Sequence, residues 1–208
     1  MAAMISKRAA VLALMICLSA PIAMGGAHTW DVNELFSNAD GTIQFIELKN
    51  TDTPGETGMV GQTISSSLAS LVPGGSITGP TNLKHYLIAT QSFADLPGAP
   101  TPDRIINPLT PGEAIPFFDI NGDSVSFAAF DTLTFGSGVL PTDGILSLDR
   151  NLNTAVNSPT NYSDVGGTVD ASSAPVPLAF GWMSVLLVAL LTLVGIGSGV
   201  RLGTARVK

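Results

Sequence analysis

The chain of 208 residues has one cysteine and two histidines. A single cysteine excludes an internal disulfide and a thiolate zinc site. Charged residues make up 12%, half the usual share of about 25%, which argues against a coiled coil or a charged disordered tail. Lysine and arginine number 9 against 16 acidic residues, giving a net charge of −7. A phosphate backbone would be repelled, so nucleic acid is not an expected partner. The 22 glycines and 14 prolines stay below the roughly 25–30% of low-complexity chains. Between the two ends, no stretch keeps helical spacing for three turns. What remains is apolar content of 45%, unevenly distributed.

Both ends are apolar. Residues 1–27 have the plan of a secretory signal: Lys7 and Arg8, an uncharged stretch from Ala9 to Ala20, and small residues at Gly25 and Ala27. Those two suit the −3 and −1 positions of signal peptidase, so cleavage is expected after Ala27. Cys17 would then be lost, and His28 would open the mature chain as a mobile residue. At the other end, the 30 residues from Ala171 to Val200 carry no charge. A transmembrane helix is expected over 178–200, because about 20 apolar residues span a bilayer. Trp182 suits the membrane interface, and Arg201, Arg206 and Lys208 in the tail 201–208 mark the cytoplasmic side. The body between would be exported, with the C-terminus inside.

The motif Pro175-Val176-Pro177, an apolar helix and a short basic tail resemble the PEP-CTERM sorting signals processed by exosortases. Val176-Pro177-Leu178-Ala179 is similar to the Val-Pro-Leu-Pro-Ala variant of that class. The resemblance implies an exosortase-like sorting enzyme as a partner and a surface destination after tail removal.

All 16 acidic residues lie between Asp31 and Asp170 with four basic ones, a net charge of −12 for the middle. Its apolar residues fall in short β-rich runs: Trp30–Phe36, Thr42–Leu48, Met59–Ile64, Leu83–Thr90, Ser124–Phe130, Leu133–Phe135 and Gly144–Leu148. Turn signals such as Asp40-Gly41, Pro97-Gly98, Asn121-Gly122 and Asp143-Gly144 separate them. In Trp30–Phe36 the alternation slips after Val32. In Thr42–Leu48, Ile43 and Phe45 take one face and Ile46 and Leu48 the other, which predicts a central or bulged strand. Short strands with frequent turns predict an all-β sandwich or barrel over 28–149. Residues 150–177, rich in Asn, Ser, Thr and Gly, read as a loose stalk.

The run Ile43-Gln44-Phe45-Ile46-Glu47-Leu48-Lys49-Asn50, followed by Val60-Gly61-Gln62-Thr63-Ile64, resembles the opening of lamin-tail-like domains. Gln44 stands where the family pattern has Glu, and no tryptophan follows Gly61. The resemblance implies an immunoglobulin-like β-sandwich with a binding or scaffolding role and no catalytic residues.

Four candidates carry chemistry or recognition. Asp119, Asn121 and Asp123 place oxygen atoms at positions 1, 3 and 5 of a calcium-loop pattern, although Ser124 and Phe130 stand where the motif has Gly and Glu. A hairpin turn between Phe117-Phe118 and the strand starting at Ser124 is the favoured reading, because Asn-Gly is itself a hairpin signal. His85 is the one histidine placed to serve a hydrolase, but no Gly-x-Ser-x-Gly elbow accompanies it. The proline-rich loop Pro97–Asp103 reads as an extended ligand or a stiff connector, and Asn161-Tyr162-Ser163 is a glycosylation sequon. The expectation is therefore an exported, membrane-tethered β-sandwich with a non-catalytic structural or binding role toward a surface or matrix ligand. A weak calcium-dependent module and a His85 hydrolase are the alternatives.

Overall fold

The structure is a computed structural model and describes residues 26–172. The signal segment before Gly26, the sorting motif Pro175-Val176-Pro177, the apolar stretch 178–200 and the basic tail lie outside the described residues. Among the described residues no helix is long and apolar enough to cross a membrane.

The chain is all-β. In order it forms β1 (Trp30–Ser37), β2 (Gln44–Asn50), a 3-10 turn (Thr57–Gly61), β3 (Ile64–Ser65), β4 (Ser70–Leu71), β5 (His85–Thr90), α1 (Gln91–Ala94), β6 (Arg104–Ile106), β7 (Asp123–Phe127), β8 (Asp131–Phe135), β9 (Leu146–Asp149) and β10 (Thr154–Val156). One sheet has six strands in the order β10-β9-β1-β2-β5-β6, and the other has four in the order β4-β3-β7-β8. All pairings are antiparallel except β5 with β6.

The slip in the β1 pattern is a β-bulge. Its register against β2 shifts between Val32 and Glu34. Trp30 and Val32 face the inter-sheet core, and beyond the bulge Leu35 takes that face, while Glu34 and Phe36 turn to the other side. One extra residue thus exchanges the faces of the strand. β2 lies between β1 and β5, as its two-sided apolar pattern predicts. Ile46 and Leu48 enter the inter-sheet core with Tyr86 and Ile88 of β5 and with Val125, Phe127, Leu133 and Phe135 of the small sheet. On the opposite face, Phe36, Phe45, Leu87 and Ala89 form a second cluster with Phe93, Leu96, Val169 and Ala171. Phe36 stacks on Phe45 with centroids 5.2 Å apart, and Phe93 meets Phe45 edge-on at 5.2 Å.

Gln44 has a specific task. Its Oε1 accepts the Phe117 N–H at 2.7 Å while its Nε2 donates to the Phe118 carbonyl at 3.0 Å. An amide does both at once; an ionised glutamate has no proton to donate. That arrangement anchors Phe117 and Phe118, both fully buried, between the sheets.

Three readings are corrected. Met59–Ile64 is not a strand: Met59 is buried as part of the 3-10 turn, and only Ile64 enters β3. Leu83 is not in β5; it has φ 59° and its side chain is exposed. Residues 150–172 are not a loose stalk. They contain β10, and Asn157 is buried with its amide donating to the carbonyls of Ile145 and Val169 at 2.7 and 2.8 Å. Polar side chains look solvated by composition, but here they are hydrogen-bonded across the sheet. The folded body therefore runs past residue 149 to Ser172.

Candidate functional site

The outer face of the large sheet carries two buried carboxylates side by side. Glu34 of β1 and Glu47 of β2 are cross-strand partners, and both are nearly inaccessible. Glu34 accepts the hydroxyl of Ser147 at 2.6 Å, the Ser158 N–H at 2.9 Å and the Ser158 hydroxyl at 3.0 Å. Burial pushes its carboxyl above the usual range against those hydrogen bonds, and the Glu47 charge adds to the rise. Glu47 accepts Asn33 Nδ2 at 2.7 Å, the Thr160 N–H at 2.7 Å, and His85 Nδ1 at 2.8 Å. A carboxylate acceptor fixes the proton of His85 on Nδ1. Among the described residues no hydroxyl is hydrogen-bonded to His85. What the pair of glutamates does is hold the returning segment at Ser158 and Thr160 against the sheet.

That segment shapes a cleft of about 300 Å³ at its far side, lined by Gly74–Thr78, Tyr86, Asp103, Tyr162 and Ser163. The volume is at the small end of ligand pockets. Asp103 stands just before β6, where its own N–H donates to the Leu87 carbonyl at 2.9 Å. Its Oδ2 accepts the N–H of Leu87 at 2.8 Å and of Tyr162 at 2.9 Å. Burial raises its carboxyl despite those two donors. Tyr86, on the neighbouring strand, is pushed up to about 12, first by burial and then by the Asp103 charge. Tyr162 packs near Trp30, with centroids 6.5 Å apart, and its hydroxyl donates to the Thr78 carbonyl at 2.6 Å. Lys84 Nζ lies 5.7 Å from the centre of the Tyr162 ring and pairs with Asp164. Gly74 and Gly75, with φ +71° and +73°, turn the opposite wall. A carboxylate and two phenols around a small cleft suit a polar ligand offering hydroxyl or ammonium donors.

The candidates read from the sequence fall elsewhere. Asp119, Asn121 and Asp123 form a turn whose oxygens serve the protein itself. Asp119 Oδ1 accepts the Asn121 N–H at 2.8 Å, and Asp123 Oδ2 accepts the Asp119 N–H at 2.9 Å. Asp123 also takes the Ser67 N–H at 3.0 Å and its hydroxyl at 2.9 Å, tying this turn to the loop between β3 and β4. Among the described residues no group of three His, Cys, Asp or Glu could hold a metal ion. The Pro97–Asp103 loop is a connector under the returning segment, with the Thr101 carbonyl accepting Asn161 Nδ2 at 2.9 Å. Asn161 of the sequon is buried, and its Oδ1 also accepts the N–H groups of Ser163 and Val165. Ala27, the expected cleavage residue, is buried in the inter-sheet core. The side chain of His28 is exposed, with Nδ1 3.5 Å from Glu56 Oε1.

Sequence reasoning missed Asp103, Tyr86 and Tyr162 as a group. Nothing in their spacing joins them, because they converge only when β5, the start of β6 and the returning segment are assembled. No family model, curated protein or solved structure matches this chain.

Proposed function

We propose that this protein is an exported, membrane-tethered body with a non-catalytic structural or binding role at the envelope or in extracellular matrix. The observation that carries the reading is the uncharged stretch of 30 residues from Ala171 to Val200, followed by Arg201, Arg206 and Lys208. It begins where the packed body ends, at Ala171 and Ser172. A stretch of that length and composition is read as a membrane span with a cytoplasmic basic flank. The same reading assigns the N-terminal segment with Lys7, Arg8 and the uncharged stretch Ala9 to Ala20 to a secretory signal, and Pro175-Val176-Pro177 to sorting by an exosortase-like enzyme. The two-sheet body is taken to be a lamin-tail-like, immunoglobulin-like sandwich. Its support is the Phe45–Leu48 run on a central strand, with Glu47 and Leu48 engaged on opposite faces. Within this role, the Asp103 cleft is the binding surface.

Fractionation in a bacterial host tests the reading. The full chain should sediment with membranes and resist carbonate extraction, while its body is digested by protease added from the periplasmic side. A variant ending at Ser172 should be released in soluble form outside the cytoplasm. Recovery of the full chain as a soluble cytosolic protein overturns the proposal.

A further inference from the structure

The start of the described body contains a buried carboxyl group whose ion-pair partner among the described residues is the exposed side chain of His28. Glu56 precedes the 3-10 turn and is 3% exposed. Its backbone is held from two sides: the Glu56 carbonyl accepts Trp30 Nε1 at 2.9 Å, and its N–H donates to Thr81 Oγ1 at 3.0 Å. These two bonds fix the Glu56 backbone beside Trp30. Oε1 has the exposed His28 Nδ1 at 3.5 Å, and Oε2 has no hydrogen-bond partner among the described residues. A buried carboxylate in that condition is expensive unless a cation reaches it.

Both oxygens lie beside Gly26, on the side where a Cβ would point. A Cβ built there would stand 2.4 Å from Oε1 and 2.9 Å from Oε2. A side chain at Gly26 would displace the Glu56 carboxyl, and any charge on the nitrogen of Gly26 would be one bond from the Gly26 α-carbon. Gly26 is fixed in place, because its carbonyl accepts the Gly58 N–H at 2.9 Å. Ala27 follows into the core, 5% exposed. Cleavage after Ala27 would discard both contacts. Cleavage one step earlier, after Gly25, keeps them and still presents small residues, Ala23 and Gly25, at the −3 and −1 positions.

We propose that the mature chain begins at Gly26 and that its new α-ammonium is the counter-ion of buried Glu56. Signal peptidase breaks the Gly25–Gly26 C–N bond with water. The water oxygen joins the Gly25 carbonyl to give a carboxylate, and the Gly26 nitrogen leaves as an amine that takes up a proton. Processing thus supplies a positive charge beside the Glu56 carboxyl, whose Oε2 has no partner among the described residues. This rests on the export reading above.

The test uses the full chain expressed with its own leader in an exporting bacterial host. N-terminal sequencing is expected to read Gly26-Ala27-His28-Thr29. A start at His28, or at any residue other than Gly26, overturns this inference and leaves export intact. A chain that keeps Met1 overturns both. The pairing has its own readout. Ion pairing that raises the α-amine by about one pH unit should slow its acylation at pH 7 about tenfold relative to Glu56→Gln. Equal rates overturn the pairing. If Glu56→Gln does not fold, the native amine is compared with the same amine in denaturant, and equal reactivity after correction for chain exposure again overturns it.

Discussion

Asp131 Oδ2 accepts the backbone N–H of Val32 at 2.7 Å, joining the small sheet to the bulge of β1 across 99 positions of sequence. Arg150 completes the joint, with Nη1 2.6 Å from Oδ2 and Nη2 2.8 Å from Oδ1. A bulge leaves backbone groups without ladder partners, and this carboxylate serves one of them. Burial works against the Asp131 charge, but the Arg150 pair and the Val32 N–H outweigh it and hold the carboxyl below its usual range.

Asp131→Asn should destabilise the fold by about 1–3 kcal/mol, the usual effect of breaking a charged hydrogen-bonded group. The pH dependence follows from the lowered carboxyl. Its contribution is present above the unfolded value of about 3.9 and is lost as pH falls through the lower folded value. Urea midpoints from pH 7 to pH 3 should show a shallower acid limb in the variant. Parallel curves would dissociate Asp131 from acid stability.

Glu34 has the opposite sign. Its carboxyl is raised by burial, so the folded state favours the protonated form. That contribution is complete below the unfolded value of about 4.3 and is lost as pH rises through the raised folded value. Glu34→Gln cannot ionise. In urea titrations its stability should decline less than the wild type's as pH rises above about 4.3, and an unchanged slope would refute the assignment.

Truncation separates the two readings of residues 150–172. A body ending at Ser172 should unfold in one cooperative urea transition. A body ending at Asp149 loses Ser158 and Thr160 from the buried glutamates and Val169 and Ala171 from the second cluster. Buried carboxylates left unsatisfied are destabilising by several kcal/mol, so no cooperative transition is expected. Equal midpoints for the two bodies would return the segment to the status of a stalk.

Phe93→Ala should cost about 3–5 kcal/mol, as large aromatic deletions do in cores. Phe93 is fully buried and meets both Phe36 and Phe45 edge-on. A thermal or chemical unfolding shift below 1 kcal/mol, the size of a surface change, would show that the second cluster contributes little.

The sequence carries the strands whose faces are marked by strong alternation. The slip after Val32 is legible as a bulge because period-2 patterning leaves a visible fault when one residue is inserted. The two-sided run in β2 is legible as a central strand for the same reason. Where polar residues build structure, the pattern is silent. Glu34, Glu47, Asn157 and Asn161 look like surface residues by composition, yet each is buried and bonded to backbone from distant segments. Such partners are set by tertiary assembly and have no periodicity. The Asp103 cleft was hidden for that reason, and the Asp119–Asp123 turn looked like an ion loop because Asx turns and calcium loops use the same residue types.

The outermost strands of the large sheet, β6 and β10, are three residues each, and β4 at one border of the small sheet is two. Unpaired backbone along a sheet border is a template on which another chain can add. Here those three borders expose almost no such template. Added strands would find too few amides to grip, so copies can sit close together without stitching into fibres along these borders.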